Sequence, residues 1–364
     1  MHFRLRVGSL WLLIALLITC VSTACCGVNA KCQSQDNNKP NQIADQQQQF
    51  RLNIFAEPPS LDPAAAQDQN SFTVIHAIGE GLTRVDQDGN VLPGTAESWE
   101  VSEDGKMVTF KLRADAKWSN GDPVTANDYE YSWKRVLNPN LEMPSPYAYQ
   151  LYYLANAERY NTNQGADVSD VGVRAEDDRT LIVKLENPTP YFLKLTAFFT
   201  YFPVHKSTVE AHPDWATEAK SIVSNGPFKM SEWRHSESIT LVPNDSYHSR
   251  ADIRFSQVRL MMIEDASTEL NLYETDQLDW AGRPLGEIPL DLIPQLKADE
   301  TANLHIKPIA SSYYYVFNTT ELPAKNVEFR KALSMAIDRQ ALVDKITLGD
   351  QVPAYGFVAG VRGL

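Results

Sequence analysis

After Cys32 the chain never uses cysteine again. Its four cysteines, Cys20, Cys25, Cys26 and Cys32, all lie near the start of a 364-residue sequence. Whatever folds beyond them has no disulfide framework and must close on a hydrophobic core. The length predicts two or more lobes rather than one small core. At 43% hydrophobic and 10% aromatic the composition is globular. A net charge of −13 argues against nucleic acid, whose phosphates demand Lys and Arg, and against docking on anionic lipid through a basic face. The plain role of that acidity is solubility.

The bunched cysteines follow a recognisable segment. Arg4 and Arg6 precede the apolar run LWLLIALLI, Leu10 to Ile18, the layout of a secretory signal and too short to span a membrane comfortably. VSTAC, ending on Cys25, resembles a bacterial lipobox with small Ala24 before the thiol, although Ser22 stands where leucine is commonest. Cys20, in LITC, has that leucine but Thr19 before it, and cleavage after Val28-Asn29-Ala30 is the other route. The expectation is a signal over 1–25 with Cys25 lipidated, then a polar tether over 26–50. QSQDNNKPNQIADQQQQ, residues 33–49, has almost nothing to bury. One acyl chain holds weakly, so stable anchoring needs more than one. No later segment is long and apolar enough to cross a bilayer.

The body reads as mixed α/β. RLNIF (51–55), VTFKL (108–112) and TLIVKL (180–185) read as strands, as do GPFKM, SITLV, QVRLMMI and YYYVF further on. EPPSLDP, with three prolines, excludes helix and a central ladder. Apolar residues at 72, 74, 75, 78 and 82 predict a helix stopping near Gly79 and Gly81. TAND, Thr125 to Asp128, is a capping box opening a helix that buries Tyr129, Trp133, Val136 and Leu137. NPTPYFLKLTAFFTYFPVHK (187–206) concentrates six aromatics; interleaved with leucines and bounded by prolines, it reads as a core helix running into a strand. Val327 to Ile346 places Phe329, Leu333, Ala336, Ile337, Leu342 and Ile346 near one helical stripe. No internal repeat is visible.

Catalytic signatures are missing. There is no Walker loop, GxSxG, HExxH or body CxxC. His205 and His212 sit beside Pro213 in polar surroundings, which favours a surface loop over a zinc site. The adjoining acids Asp177–Asp178 and Glu264–Asp265 fall on turns and strand ends, where carboxylates are solvated. An enzyme would need two carboxylates buried in one cleft. An exported α/β body without a reaction centre, and with neither cofactor nor metal, reads as a binder.

AESWEVSEDGKMVTFKLRADAKWSNGDPVTANDYEYSWKR, Ala96 to Arg135, resembles the signature block of extracytoplasmic solute-binding proteins of the oligopeptide and dipeptide class. EPPSLDP, EGL, SPYAYQL, NPTPYFLKL, SNGPFKM, LDW, YYYVFN and FRKALSMAIDR follow the same family in order. The resemblance implies a mixed-sheet, multi-lobe α/β fold of the periplasmic-binding-protein type II kind. On it the first lobe is 51–83 with 207–310, an inserted second lobe is 84–206, and 311–364 begins a third. It implies capture of an extended peptide between first and third lobes by main-chain pairing, with wet pockets for side chains. Closure about a hinge then presents the protein to the permease of an ABC importer. A monomer is expected, on the extracytoplasmic face of a bacterial membrane, touching it through the lipid anchor.

Carried over by position, Gln67, Asp68 and Gln69 fall where relatives lay a backbone edge beside the peptide. Tyr147, in SPYAY, falls where a tyrosine helps hold the peptide's amino end, and Tyr314, in YYY, falls on the cleft side of the third lobe. A structural role is the alternative for each. After LDW, Gly282 and Arg283 stand where relatives can place a tyrosine. PAYGFVAGVRGL (353–364) lies mid-protein in typical relatives, which go on to a Trp-x-x-Asp segment that meets the peptide's ammonium. The expectation is therefore an incomplete third lobe and weak peptide binding. Other solutes of the class (dipeptides, metal chelates, haem, oligosaccharides) and a peptide-sensing receptor remain alternatives.

Overall fold

The computed structural model describes residues 48–357 except 142, 308 and 310. Two four-stranded sheets organise it. The first, in order β1 (Gln49–Asn53), β10 (Gln257–Met261), β9 (Ser238–Pro243), β8 (Phe228–Arg234), pairs β1 with β10 in parallel and is otherwise antiparallel. The second, in order β4 (Ala96–Val101), β5 (Met107–Leu112), β7 (Thr180–Lys184), β6 (Val173–Asp177), is antiparallel throughout. A hairpin of β2 (Thr83–Val85) and β3 (Val91–Pro93) lies between them in sequence. No described helix is long and apolar enough to cross a membrane.

The expected strands form where alternation meets a partner. In β5, Val108, Phe110 and Leu112 are buried while Met107 and Lys111 are exposed, the period-2 signature of a sheet with one wet face. Helix α2 (Ala126–Val136) packs across β6 and β7. Its capping box is visible in Asp128 Oδ2, which accepts from Thr125 N–H at 2.8 Å and Oγ1–H at 3.0 Å. Trp133 is fully enclosed and donates its indole N–H to Tyr201 O at 2.8 Å. β1 starts earlier and ends earlier than the alternation of RLNIF suggested. Asn53 turns inward to bond Ile263 O and Glu269, and Phe55 takes φ +71°.

The aromatic stretch 187–206 departs from expectation in form. One helical turn, Phe192–Leu195, leads to a 3-10 turn, Phe199–Tyr201, and no strand follows. Pro203 can donate nothing to a ladder, and the aromatics are divided between two cores instead. Phe192 and Tyr201 fill the one against the second sheet, and Phe199 and Phe202 the one against the first.

Between the sheets the chain crosses at Gly79-Glu80-Gly81. A Cβ on Gly81 would stand 2.3 Å from Thr196 O, and one on Gly226 would stand 2.5 Å from Ile78 C, so both positions admit only glycine. Asn225 clasps the crossing, accepting from Glu80 N–H at 3.0 Å and donating to Glu80 O at 2.9 Å.

Residues 311–318, expected to hold the strand YYYVF, form neither strand nor helix, with Tyr313 87% exposed. Alternation cannot make a strand without a neighbour to bond. The stripe from 327 is helical over Val327–Ala336, breaks at 337–338, and resumes through Thr347, the last turn being π-helical over Val343–Thr347. Asp338 then caps a second short helix, Arg339–Leu342, its carboxylate accepting from Ala341 N–H at 2.9 Å. Phe329, Leu333, Ile337, Leu342 and Ile346 stay exposed, as expected of an apolar stripe with no layer to pack on.

Trp133→Ala is expected to remove about 3–5 kcal/mol of stability, read as a lower urea midpoint at unchanged m-value. A midpoint shift worth under about 1 kcal/mol would mean that α2 is not the keystone of the second sheet.

Candidate functional site

The proline-rich loop EPPSLDP is pinned at both ends. Near its start, Glu57 Oε1 accepts from Trp233 Nε1 at 2.6 Å and faces His235 Nδ1 at 2.9 Å, while its other oxygen takes the Ser236 amide. Near its end, Asp62 meets Arg135 of α2 bidentately at 2.9 and 2.5 Å and accepts from Ala64 N–H at 2.9 Å. The loop therefore delivers residues 64–69 to a fixed place although no strand contains them.

Asp68 is the N-cap of helix α1 (Gln69–Ile78), its carboxylate accepting from Ser71 N–H at 2.9 Å and Ser71 Oγ at 2.7 Å. Its backbone is extended, φ −123° and ψ 159°. Gln67 and Gln69 are exposed. The Gln67 N–H and C=O and the Asp68 N–H make no hydrogen bond to another described residue. The Gln69 amide is among those that the first turn of a helix cannot satisfy. A short extended edge with open main-chain groups results.

Tyr147 stands at the same end of α1, joined to it through Phe72. The Tyr147 ring lies 5.9 Å from Phe72, 5.8 Å from Phe198 and 5.6 Å from Phe199. Tyr149 leans on it at 5.9 Å and is 53% exposed. Burial pushes the Tyr147 phenol up, so it stays protonated, and its hydroxyl bonds no described residue. Thus four of the five expected site residues converge on one patch. Tyr314 does not join them: its half-exposed ring meets Phe357 at 4.9 Å. Cys25 and the signal lie outside the described residues.

Acid chemistry is not assembled anywhere among the described residues. The buried carboxylates are Asp62, Glu80 and Glu269, and no two share a partner. His205 spends both ring nitrogens, on Thr208 Oγ1 at 2.7 Å and Asp122 Oδ2 at 3.0 Å.

An open main-chain edge near a tyrosine suits a ligand with a backbone of its own. The family description "Bacterial extracellular solute-binding proteins, family 5 Middle" matches residues 90–362. The chain belongs to this family of solute-binding proteins. It is 45% identical to the oligopeptide-binding protein OppA of Bacillus subtilis over 359 residues, 98% of this chain and 64% of that protein. The murein tripeptide binding protein MppA of Escherichia coli superposes with a TM-score of 0.82 at 33% identity, covering 87% of this chain and 61% of that one. The Haemophilus influenzae OppA complex with RPPGFSPFR gives 0.80 at 31% identity, covering 86% and 60%. The fold is thus the α/β periplasmic-binding-protein fold, and the chain spans less than two thirds of these relatives' length.

Sequence reasoning missed Phe72, Tyr149, Phe198 and Phe199 as neighbours of Tyr147. The signal was present in the second tyrosine of SPYAYQL and in the crowded aromatics of 187–206, but nothing local says that they meet.

The Glu57 carboxylate holds the His235 imidazole above the ordinary histidine range, with Glu218 adding to the effect. A raised histidine contributes stability that is fully present below the unfolded value and is lost as pH rises through the folded one. The stability gap between the native chain and His235→Gln should therefore be larger near pH ~5.5 than near pH ~8.5. It should be small, because the ring is half exposed. Denaturant titrations at both values check this; a gap independent of pH would remove the contact from the loop's support.

Proposed function

We propose that this chain supplies one wall of an extracytoplasmic peptide-capture protein that serves an ABC importer. A peptide would lie extended along Gln67, Asp68 and Gln69, its main chain completing their open hydrogen bonds. Tyr147 would cover its amino end, and Tyr314 would approach from the 311–357 segment. The observation that carries this reading is the open Gln67 N–H and C=O and Asp68 N–H at the amino end of α1, where Tyr147, packed on Phe72, has a hydroxyl that bonds no described residue. The similar proteins, an oligopeptide-binding protein and a tripeptide-binding protein, support peptides as the solute class. Division into a first lobe built on the β1–β10–β9–β8 sheet and an inserted lobe built on the β4–β5–β7–β6 sheet belongs to the same proposal. So do the permease partner and the lipid anchor on Cys25.

Main-chain pairing accounts for ligand breadth: the bonds are common to every peptide, so side chains are left to loose pockets. It also sets the expected strength. For these 364 residues alone, with Tyr314 turned to Phe357, affinity should be weak, about 1 mM or near −4 kcal/mol.

Gln69→Pro isolates the backbone contribution. Position 69 is the first helical residue, where proline is well tolerated, and extended Asp68 suits a following proline. Stability should change by under about 0.5 kcal/mol, while titration of a tri- to pentapeptide pool, followed by calorimetry or ligand NMR, should weaken about five- to tenfold. Equal binding by the variant would remove the edge from the site, and micromolar binding by the native chain would overturn the one-wall reading.

A further inference from the structure

A recess of about 500 Å³ opens at the other end of α1 from Gln67–Gln69, about 15 Å away at the 1.5 Å rise per residue of a ten-residue helix. Its volume falls within the range of small-molecule sites, about 300–1,000 Å³. Phe198, Phe202 and Ile253 supply apolar lining. Arg84 and Lys194 line it as well and are exposed to solvent.

Two cations, Arg84 and Lys194, and two acids, Glu80 and Asp252, share the lining, but the cations keep unspent donors. Glu80 is already saturated: Tyr247 donates to it at 2.6 Å, His248 Nε2 lies 2.8 Å away and Thr95 Oγ1 3.3 Å. Arg84 spends Nε on Pro93 O at 3.1 Å and sits 3.6 Å from Glu80, while its two terminal nitrogens bond no described residue. Lys194 Nζ makes no hydrogen bond or ion pair with any described residue. Asp252, the second acid of the lining, makes no ion pair with either cation. An apolar lining with two exposed cations is complementary to a small molecule that has a ring at one end and a carboxylate at the other.

We propose that this recess is a second binding site, separate from the peptide edge, for small amphipathic monocarboxylates. The ring would lie on Phe198 and Phe202, and the carboxylate would bridge Arg84 and Lys194. The proposal stands whether or not residues 67–69 bind peptide, since none of those three lines the recess.

Ligand-observed NMR on the 364-residue chain, with 4-phenylbutyrate and its neutral amide at millimolar concentration, tests it. The acid should bind and the amide should bind at least about tenfold more weakly, the worth of one charge-assisted hydrogen bond. Lys194→Glu should cost the acid a similar factor, and Ala197→Trp, which fills the recess from its wall, should abolish its binding. Circular dichroism confirms that both variants fold. Equal binding of acid and amide would reduce the effect to apolar adsorption, and binding unchanged in both variants would place it elsewhere, for example on the exposed 313–357 segment. Either result, or no binding of the acid, overturns the proposal.

Discussion

A carboxylate can be enclosed in protein only if its surroundings replace the water it gives up. Glu80, 3% exposed, is so enclosed, and its replacements come from far apart in the chain. Thr95 precedes the second sheet, Tyr247 and His248 follow β9 of the first, and Tyr129 of α2 reaches the Glu80 carbonyl at 3.4 Å. Burial pushes the Tyr247 phenol up, which keeps it a donor to the acid. Without the carboxylate, Tyr247 and His248 would be left as buried polar groups lacking their acceptor, at about 1–3 kcal/mol each. The mutual placement of the two sheets hangs on this residue more than on any apolar contact, because apolar contacts are tolerant of small slides and hydrogen bonds are not.

That placement passes to the binding edge through α1. The helix ends at the Glu80 crossing and begins at Asp68, so its ten residues act as a strut between the enclosed acid and the open backbone. A second brace, Asp62 with Arg135, ties the approach to that edge onto α2. Neither brace touches the proposed ligand. Both decide where the main-chain donors point.

Local chemistry was readable in advance; long-range chemistry was not. VTFKL showed its strand because alternation is written into adjacent residues, and TAND showed its helix start because a cap and its partner are three positions apart. EGL was visible as a family landmark, yet the role of its glutamate was hidden: His248 lies 168 residues on. The aromatics of 187–206 announced a core but not that they would serve two. YYYVF had the pattern of a strand and lacked a partner, which no pattern can reveal. At the site, Gln67–Gln69 and Tyr147 came from resemblance, and their meeting through Phe72 is a fact of folding alone.

The parallel pairing of β1 with β10 has a temporal side. Gln49 bonds opposite Gln257, whereas every strand of the second sheet lies between Ala96 and Lys184. A chain emerging amino end first can finish the second sheet while β1 still waits for the other three strands of the first. Until then β1 is an unsatisfied ribbon, exposed to any neighbour with a free edge. Its brevity at five residues and the Arg51–Asp279 pair that caps its flank are the features one would want in a segment that must stay available, yet uncommitted, during synthesis.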